Sequence, residues 1–362
     1  MHRRNFIKAA GLAAGAGTVA APALAQSQPK VTWRLASSYP KSLDTLYGCS
    51  AQIAKRVAEM TDGAFQIQVF AAGEIVGAIQ VLDAVQNGTI ECGHTLSNFY
   101  IGKDPTFVFD SCLPFGLNTR QQNAWLYQGG GRELVNEFMK GYNVHAIPAG
   151  NTCAQMGGWY RKEIKSVADL RGLKIRIAGL AGQIMSRLGA VPQQIGAGDI
   201  YPALERGTID AAEFSGPHDD EKLGFQKVAK YYYYPGWWEG TASLSLMVGL
   251  DKWNALPPAY RHILEAACAE TMSWCIAKYD NQNPDALFRL VANGAELRSF
   301  PAEVMQAAYK EAFALYGELA ASNANFKKFY DAWLPYWRKE QTWFRVAELP
   351  FDAFVAQQAQ AR

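Results

Sequence analysis

One eight-residue pattern occurs twice in this chain, and its spacing constrains the fold more than any other feature. Ala84-Val85-Gln86-Asn87-Gly88-Thr89-Ile90-Glu91 aligns with Ala203-Leu204-Glu205-Arg206-Gly207-Thr208-Ile209-Asp210 at an offset of 119 residues. Each copy reads as the end of a helix, a glycine that tolerates the left-handed cap conformation, and a strand that starts Thr-Ile-acid. Helix-Gly-strand junctions are common singly. Two such copies, about one small domain apart, predict two similar α/β lobes.

The flanking periodicity agrees. Val31–Leu35 and Phe65–Val69 alternate apolar and polar residues and predict strands. Between them Leu46, Cys49, Ile53, Val57 and Met60 recur at helical spacing, and Asp62-Gly63 ends the helix. The β-α-β opening points to an α/β sheet. A helix carrying Ile79, Leu82 and Val85 on one face leads into a strand at Thr89–Cys92. Asp169–Arg176 reads as a turn into a strand with Ile175 and Ile177 on one face and Arg176 on the other, followed by a helix over Gln183–Leu188. Pro257 to about Tyr279 is helical, and from Pro301 the pattern is helical almost to the end, with Pro335 and Pro350 expected to break it. No linker divides the chain, so it is expected to cross between lobes more than once.

The N-terminus is read separately. Arg3, Arg4 and Lys8 precede an apolar Ala/Gly run from Ala9 to Ala21, and Ala23-Leu24-Ala25 forms a small-x-small cleavage site. This is an export signal over 1–25, and His2–Lys8 resembles the twin-arginine type. Removing its three cations turns the formal charge of +2 into −1, which argues against nucleic acid as a partner. Hydrophobic residues at 49% and charged residues at 19% exclude a disordered chain. No later apolar run reaches the ~18 residues of a membrane span, so the expected location is the periplasm. Cys49, Cys92, Cys112, Cys153, Cys268 and Cys275 form no CxxC pair and are expected to be mostly buried free thiols, with one disulfide as the alternative.

Enzyme signatures are missing: there is no GxSxG, HExxH or GxxxxGK[ST]. Gly129-Gly130-Gly131 reads as a surface turn. In Glu213–Glu221, Asp219, Asp220 and Glu221 precede a helical run over Lys222–Tyr231 and read as acids that satisfy a helix N-terminus. Glu213 differs: it lies past the carboxyl end of the expected strand Thr208–Ala212, where ligands bind in open α/β sheets. Glu239 interrupts the aromatic run Tyr231–Gly240, and a carboxylate in apolar surroundings needs a cation or an arginine.

Glu213 to Phe225, with Tyr231 to Gly240, resembles the solute-binding subunits of tripartite ATP-independent periplasmic (TRAP) transporters, in the branch that binds 2-oxo acids such as pyruvate. Cys92-Gly93-His94-Thr95, Tyr100–Pro105 and Gln155-Met156-Gly157-Gly158-Trp159 belong to the same pattern, and the resemblance covers essentially the whole chain. It implies an α/β fold of two lobes, the periplasmic binding protein type, with crossing strands and a long spanning helix. The expected boundaries are 26–150 with a return at about 241–290 for lobe 1, 151–240 for lobe 2, and 291–362 for C-terminal helices able to dimerise. The resemblance implies that Arg176 pairs with the cargo carboxylate. It implies a metal ion, Na+ or Ca2+, held by the Gln155 side chain, the Glu213 carboxylate and main chain, the Phe214 carbonyl and Glu239. Charge counting leans to Ca2+ and the family branch to Na+. Asn98 and Tyr100 are further cargo contacts and Glu74 a weaker one. Phe214 stands where the family usually has Trp, and His218 where Tyr is expected. The implied function is a receptor, not an enzyme, that hands a small 2-oxo acid to the TRAP permease membrane subunits. The alternatives are a receptor for a 2-hydroxy acid such as lactate, or a periplasmic enzyme using Glu213 or His218 as base.

Overall fold

The computed structural model describes residues 29–360; the export signal lies outside them. Eleven strands occur among the described residues: β1 (Val31–Ser37), β2 (Phe65–Phe70), β3 (Cys92–Thr95), β4 (Val144–Asn151), β5 (Gly158–Tyr160), β6 (Lys174–Arg176), β7 (Val191–Gln193), β8 (Ala211–Ala212), β9 (Tyr231–Tyr234), β10 (Ser243–Gly249) and β11 (Glu296–Ser299). They form two sheets, ordered β2-β1-β3-β10-β4 and β11-β9-β5-β8-β6-β7.

The duplication is visible in the pairing. In the first sheet β1 runs parallel to β2 and β3, with Leu35 opposite Cys92. In the second, β6 runs parallel to β7 and β8, with Ile175 opposite Ala211. Beyond β3 the next strand is antiparallel β10, and beyond β8 it is antiparallel β5. These two are the crossing strands. The chain leaves the first sheet after β4 and enters the second at β5, then leaves β9 and returns as β10.

The two sequence copies have the same cap. Gly88 and Gly207 both have φ +70°. Thr89 N and Ile90 N donate to Ala84 O at 2.9 and 3.3 Å, and Thr208 N and Ile209 N donate to Ala203 O at the same two distances. Ile90 and Ile209 are both fully buried, each contributing roughly 1.5–3 kcal/mol. This cap also corrects two expected strands. Because Thr89, Ile90, Thr208 and Ile209 direct their N–H groups back to the helix, the ladders begin later, at Cys92 and Ala211. Ile79 is another correction: the helix starts at Val81, and Ile79 is exposed ahead of it.

A 35-residue helix, Pro258–Ala292, extends well past the expected Tyr279 and spans roughly 50 Å. Tyr260, Leu264, Ala267 and Cys268 pack into the core of the first sheet with Leu35 and Leu246, whereas Leu290 packs with Trp159, Ile209 and Tyr232 of the second. The helix is therefore shared by both lobes. The helix after β6 starts at Gly179, earlier than expected, and the helix at Pro217–Leu223 is stopped by Gly224 at φ +78° rather than continuing to Tyr231. Pro335 does not break the C-terminal region. It sits inside Ala324–Ala347, and the interruptions fall at Asn323, whose side chain accepts from Phe326 N, and at Glu348. All six cysteines are buried free thiols.

Candidate functional site

The segments that join the sheets run side by side. Thr152 N donates to Ala242 O at 3.0 Å, Gln155 N to Glu239 O at 3.3 Å, and Gly236 N to Gln155 O at 3.1 Å. A Cβ at Gly236 would lie 2.5 Å from Gln155 O, so only glycine lets the connectors approach this closely. Gln155 and Glu239 thus lie on the two connectors. Arg176 and Glu213 come from the carboxyl ends of β6 and β8, where an α/β sheet presents its ligand crevice.

These four residues line one enclosed cavity with Tyr39, Leu46, Leu96, Phe99, Thr152, Ala178, Phe214 and Ser215. Its free volume is about 20 Å³, room for about one water. A cargo of several heavy atoms enters only if the lobes part. A larger groove, about 680 Å³, lies between Phe115–Gln121, Pro235–Trp237 and the C-terminal helices. The smaller cavity is the candidate site because the buried charged groups converge there.

Arg176 is 2% exposed. Its Nη1 donates to Glu213 Oε1 and to Glu213 O, both at 2.7 Å, and its Nε to Ile195 O at 3.2 Å. Among the described residues nothing accepts from Nη2, which leaves that donor for a planar anion. The Phe214 ring centroid is 5.4 Å from the guanidinium carbon. Glu213 Oε1 also accepts from Ala178 N at 3.0 Å. Burial pushes the Glu213 carboxyl up, against the pull of Arg176 and Ala178 N–H.

Burial, followed by the charge of Glu213, pushes Glu239 up to about 8. Asn98 Nδ2 donates to Glu239 Oε1 at 2.8 Å. Gln155 Nε2 donates to Thr152 Oγ1 at 3.0 Å, while Gln155 Oε1 is buried with no hydrogen-bond partner. An orphaned amide oxygen in the cavity of two carboxylates, both pushed up by burial, marks a place where a cation would relieve buried negative charge. Its donors are all hard oxygens and suit Na+ or Ca2+. Among the described residues no group of three or more His, Cys, Asp or Glu could hold a metal. A cation here therefore relies on Gln155, main-chain oxygen and cargo oxygen as well as Glu213 and Glu239.

The remaining candidates fall elsewhere. Asn98 is buried but does not line the cavity; it holds Glu239 from behind. Tyr100 is not a wall residue: its hydroxyl shares a hydrogen bond with Thr95 Oγ1 at 2.7 Å and accepts from Leu82 N at 3.2 Å, because the turn Ser97–Tyr100 aims the ring into the first lobe's core. Glu74 pairs with Lys41 at 2.5 Å, outside the cavity. His218 faces Asp44 instead. Asp219 and Asp220 do fall in the first turn of the helix Pro217–Leu223, and Asp220 Oδ1 accepts from Ser215 N at 3.3 Å, but their side chains also serve the core. Both are fully buried: Asp220 Oδ2 accepts from Trp159 Nε1 and Tyr232 OH, and Asp219 Oδ2 from Tyr279 OH. Glu221 pairs with Arg289. Sequence reasoning missed Tyr39 and Thr152, which follow the ends of β1 and β4. The rule that picked out Glu213, position just past a strand, finds both.

Residues 36–323 match the model of the bacterial extracellular solute-binding proteins, family 7. The chain belongs to this family. It is 52% identical over 328 residues to a monocarboxylate 2-oxoacid-binding periplasmic protein of Nostoc sp., covering 91% of this chain and 90% of that one. A TRAP transporter solute-binding protein of Bordetella bronchiseptica, a dimer with calcium and picolinate in its active site, superposes with a TM-score of 0.91 at 54% identity, covering 92% of this chain and all of that one. One from Pseudoalteromonas atlantica, with bound sodium and pyruvate, gives 0.86 at 36% identity over 89% and 98%. The two-lobed receptor fold implied by the sequence is the fold of these proteins.

Proposed function

We propose that this protein is the extracytoplasmic receptor of a TRAP transporter for a small 2-oxo monocarboxylate of the pyruvate type, bound together with Na+ or Ca2+. The observation that carries this reading is Gln155 Oε1, buried without a hydrogen-bond partner in the cavity that Arg176, Glu213 and Glu239 also line. A 2-oxo acid offers a carboxylate and an oxygen on the adjacent carbon, so it chelates a cation and still presents its carboxylate to Arg176. Picolinate, found in the Bordetella protein, also carries a donor atom bonded to the carbon adjacent to its carboxylate. Gln155, Glu213, the Phe214 carbonyl and Glu239 hold the cation, Arg176 orients the cargo, and Asn98 positions Glu239. No bond in the cargo is made or broken.

The protein is exported to the periplasm by the twin-arginine route and delivers its cargo to the permease membrane subunits. The lobe boundaries given above belong to this reading with one correction: residues 291–362 are not all C-terminal helices, because β11 (Glu296–Ser299) pairs with β9 and belongs to the second lobe. A homodimer built on residues 291–362, where Trp343, Val346, Leu349, Phe351 and Phe354 leave an apolar face exposed, is also part of this reading. Among the described residues no helix is long and apolar enough to cross a membrane.

The test is tryptophan fluorescence of metal-stripped protein titrated with pyruvate, with and without Na+ or Ca2+. A saturable change that requires one cation is expected. Glu239→Ala is expected to abolish the response or its cation dependence. Cation-independent binding by the unaltered protein, or an unchanged response in Glu239→Ala, would overturn the assignment.

A further inference from the structure

The rim of the cleft carries a second cluster of charges, outside the cargo cavity. Asp44 lies between β1 and the first helix, on the lobe of the first sheet. His218 and Lys222 lie on the helix Pro217–Leu223, which follows β8 of the second sheet. Asp44 Oδ1 accepts from His218 Nε2 at 3.0 Å and from Lys222 Nζ, and Asp44 Oδ2 accepts from Lys278 Nζ at 2.9 Å. Lys278 also donates to Asp44 O at 2.9 Å, which ties that lysine of the shared long helix to the first lobe. Three donors on one carboxylate hold Asp44 far below the ordinary carboxylate range.

We propose that Asp44, with Lys222 and His218, is a latch that holds the cleft shut. This rests on the receptor reading above and adds the residues that set how long cargo stays. Two features single out these groups. The Lys222 and His218 contacts run from the helix that follows β8 to the segment that follows β1, whereas Lys278 belongs to the shared helix, which the latch helix also meets through Tyr279 OH to Asp219 and His218 N to Asn283 Oδ1 at 3.0 Å. The latch helix also begins at Pro217, directly after the cavity residues Glu213, Phe214 and Ser215. Cargo that fixes Glu213 and Phe214 therefore fixes the position from which Lys222 reaches Asp44. Elsewhere on the rim the lobes meet through a neutral bond, Gln194 Nε2 to Phe99 O at 3.0 Å, so the charged latch is the part that salt can weaken.

Asp44 and Lys222 are partly exposed, so the effect is that of a small surface network, about three- to fivefold in the closing equilibrium. It appears in the off-rate, since closing follows capture. The experiment compares the unaltered protein with Asp44→Asn and, from the other lobe, Lys222→Met. Stopped-flow release of pyruvate in saturating CaCl2 is measured from low to 1 M NaCl. Both variants are expected to release pyruvate about three- to fivefold faster at low salt, and the difference is expected to vanish at 1 M. The double variant is expected to be no worse than either single one. Equal off-rates, or additive effects in the double variant, would overturn the latch.

A second readout needs no cargo. The distance between spin labels on exposed Lys55 and Lys227, one on each lobe, is expected to shift toward the open form in Asp44→Asn and in high salt. If pyruvate fails to bind the unaltered protein while the label distance still responds, the latch stands and the cargo assignment fails. No change in either readout removes the latch alone.

Discussion

Superposing the repeat on itself compares the two lobes position by position. The offset of 119 places Glu213 on His94, and the matching register of the β1–β3 and β6–β8 pairs places Arg176 on Ala36. The frames are the same, but their contents differ. In the first lobe the equivalent of Glu213 is a fully buried histidine whose Nε2 meets Ala149 O at 3.1 Å, and burial lowers its pKa to about 4. It is a neutral core residue. The first lobe gives the cavity Tyr39, Leu46, Leu96 and Phe99; the second gives Arg176 and Glu213. One copy of the duplicated frame became a wall and the other took the charges. The connectors supplied Gln155 and Glu239.

The largest expected break in this division of labour is Arg176→Ala. Removing a buried guanidinium from a carboxylate partner costs on the order of 2–5 kcal/mol, so calorimetry should show pyruvate binding reduced by roughly thirtyfold to several thousandfold. Asn98→Ala, on the first lobe, acts only through Glu239 and should cost about tenfold. If Asn98→Ala matched Arg176→Ala, the first lobe would be an equal partner in holding the anion.

A smaller effect separates the lobes by pH. Burial raises Asp220, in the second lobe, to about 7. The folded state therefore keeps a proton that the unfolded state releases, and this stabilisation is lost as pH rises from about 4 through 7. His94 has the opposite sign: its depressed pKa makes the fold lose stability as pH falls from about 6.5 to 4. Melting temperatures over this window should show the advantage of Asp220→Asn over the unaltered protein growing with pH, and that of His94→Gln growing as pH falls. Parallel curves for either variant would contradict its burial as the cause.

The smallest effect sharpens the likeness instead. Gly88→Ala and Gly207→Ala each force a side chain into φ +70°, at about 1–2 kcal/mol apiece. Denaturant melts should find the two costs close, because the caps are the same. Open space surrounds a Cβ at Gly88, and at Gly207 only the flexible end of Arg161 is near.

The parts of the molecule legible in the sequence follow from local chemistry. The glycine caps, the alternation in β1 and the helix Leu46–Met60 are dictated within a few residues, and their bounds agree closely with the fold. Glu213 was legible from its place past a strand end and Glu239 from its place in an aromatic run, whereas Arg176 and Gln155 were pointed to only by the family resemblance; the structure brings all four to one cavity. Tyr100 was misplaced because a single turn decides whether a ring faces a core or a cleft, and no periodicity encodes that turn. Asp219 and Asp220 were legible as first-turn acids but not as core residues, because the aromatic partners that bury them, Trp159, Tyr232 and Tyr279, are 12 to 61 residues away.

The crossing strands and the shared helix Pro258–Ala292 have a consequence for inheritance. The first sheet is stitched from segments ending at Asn151 and resuming at Ser243, and the second from segments ending at Tyr234 and resuming at Glu296. Neither lobe is a contiguous stretch of gene. A single recombination between two such receptors would graft half of each lobe onto half of another, leaving mismatched cores on both sides of the cleft. Cargo preference in this architecture therefore diversifies by point changes within an intact frame rather than by exchange of lobes.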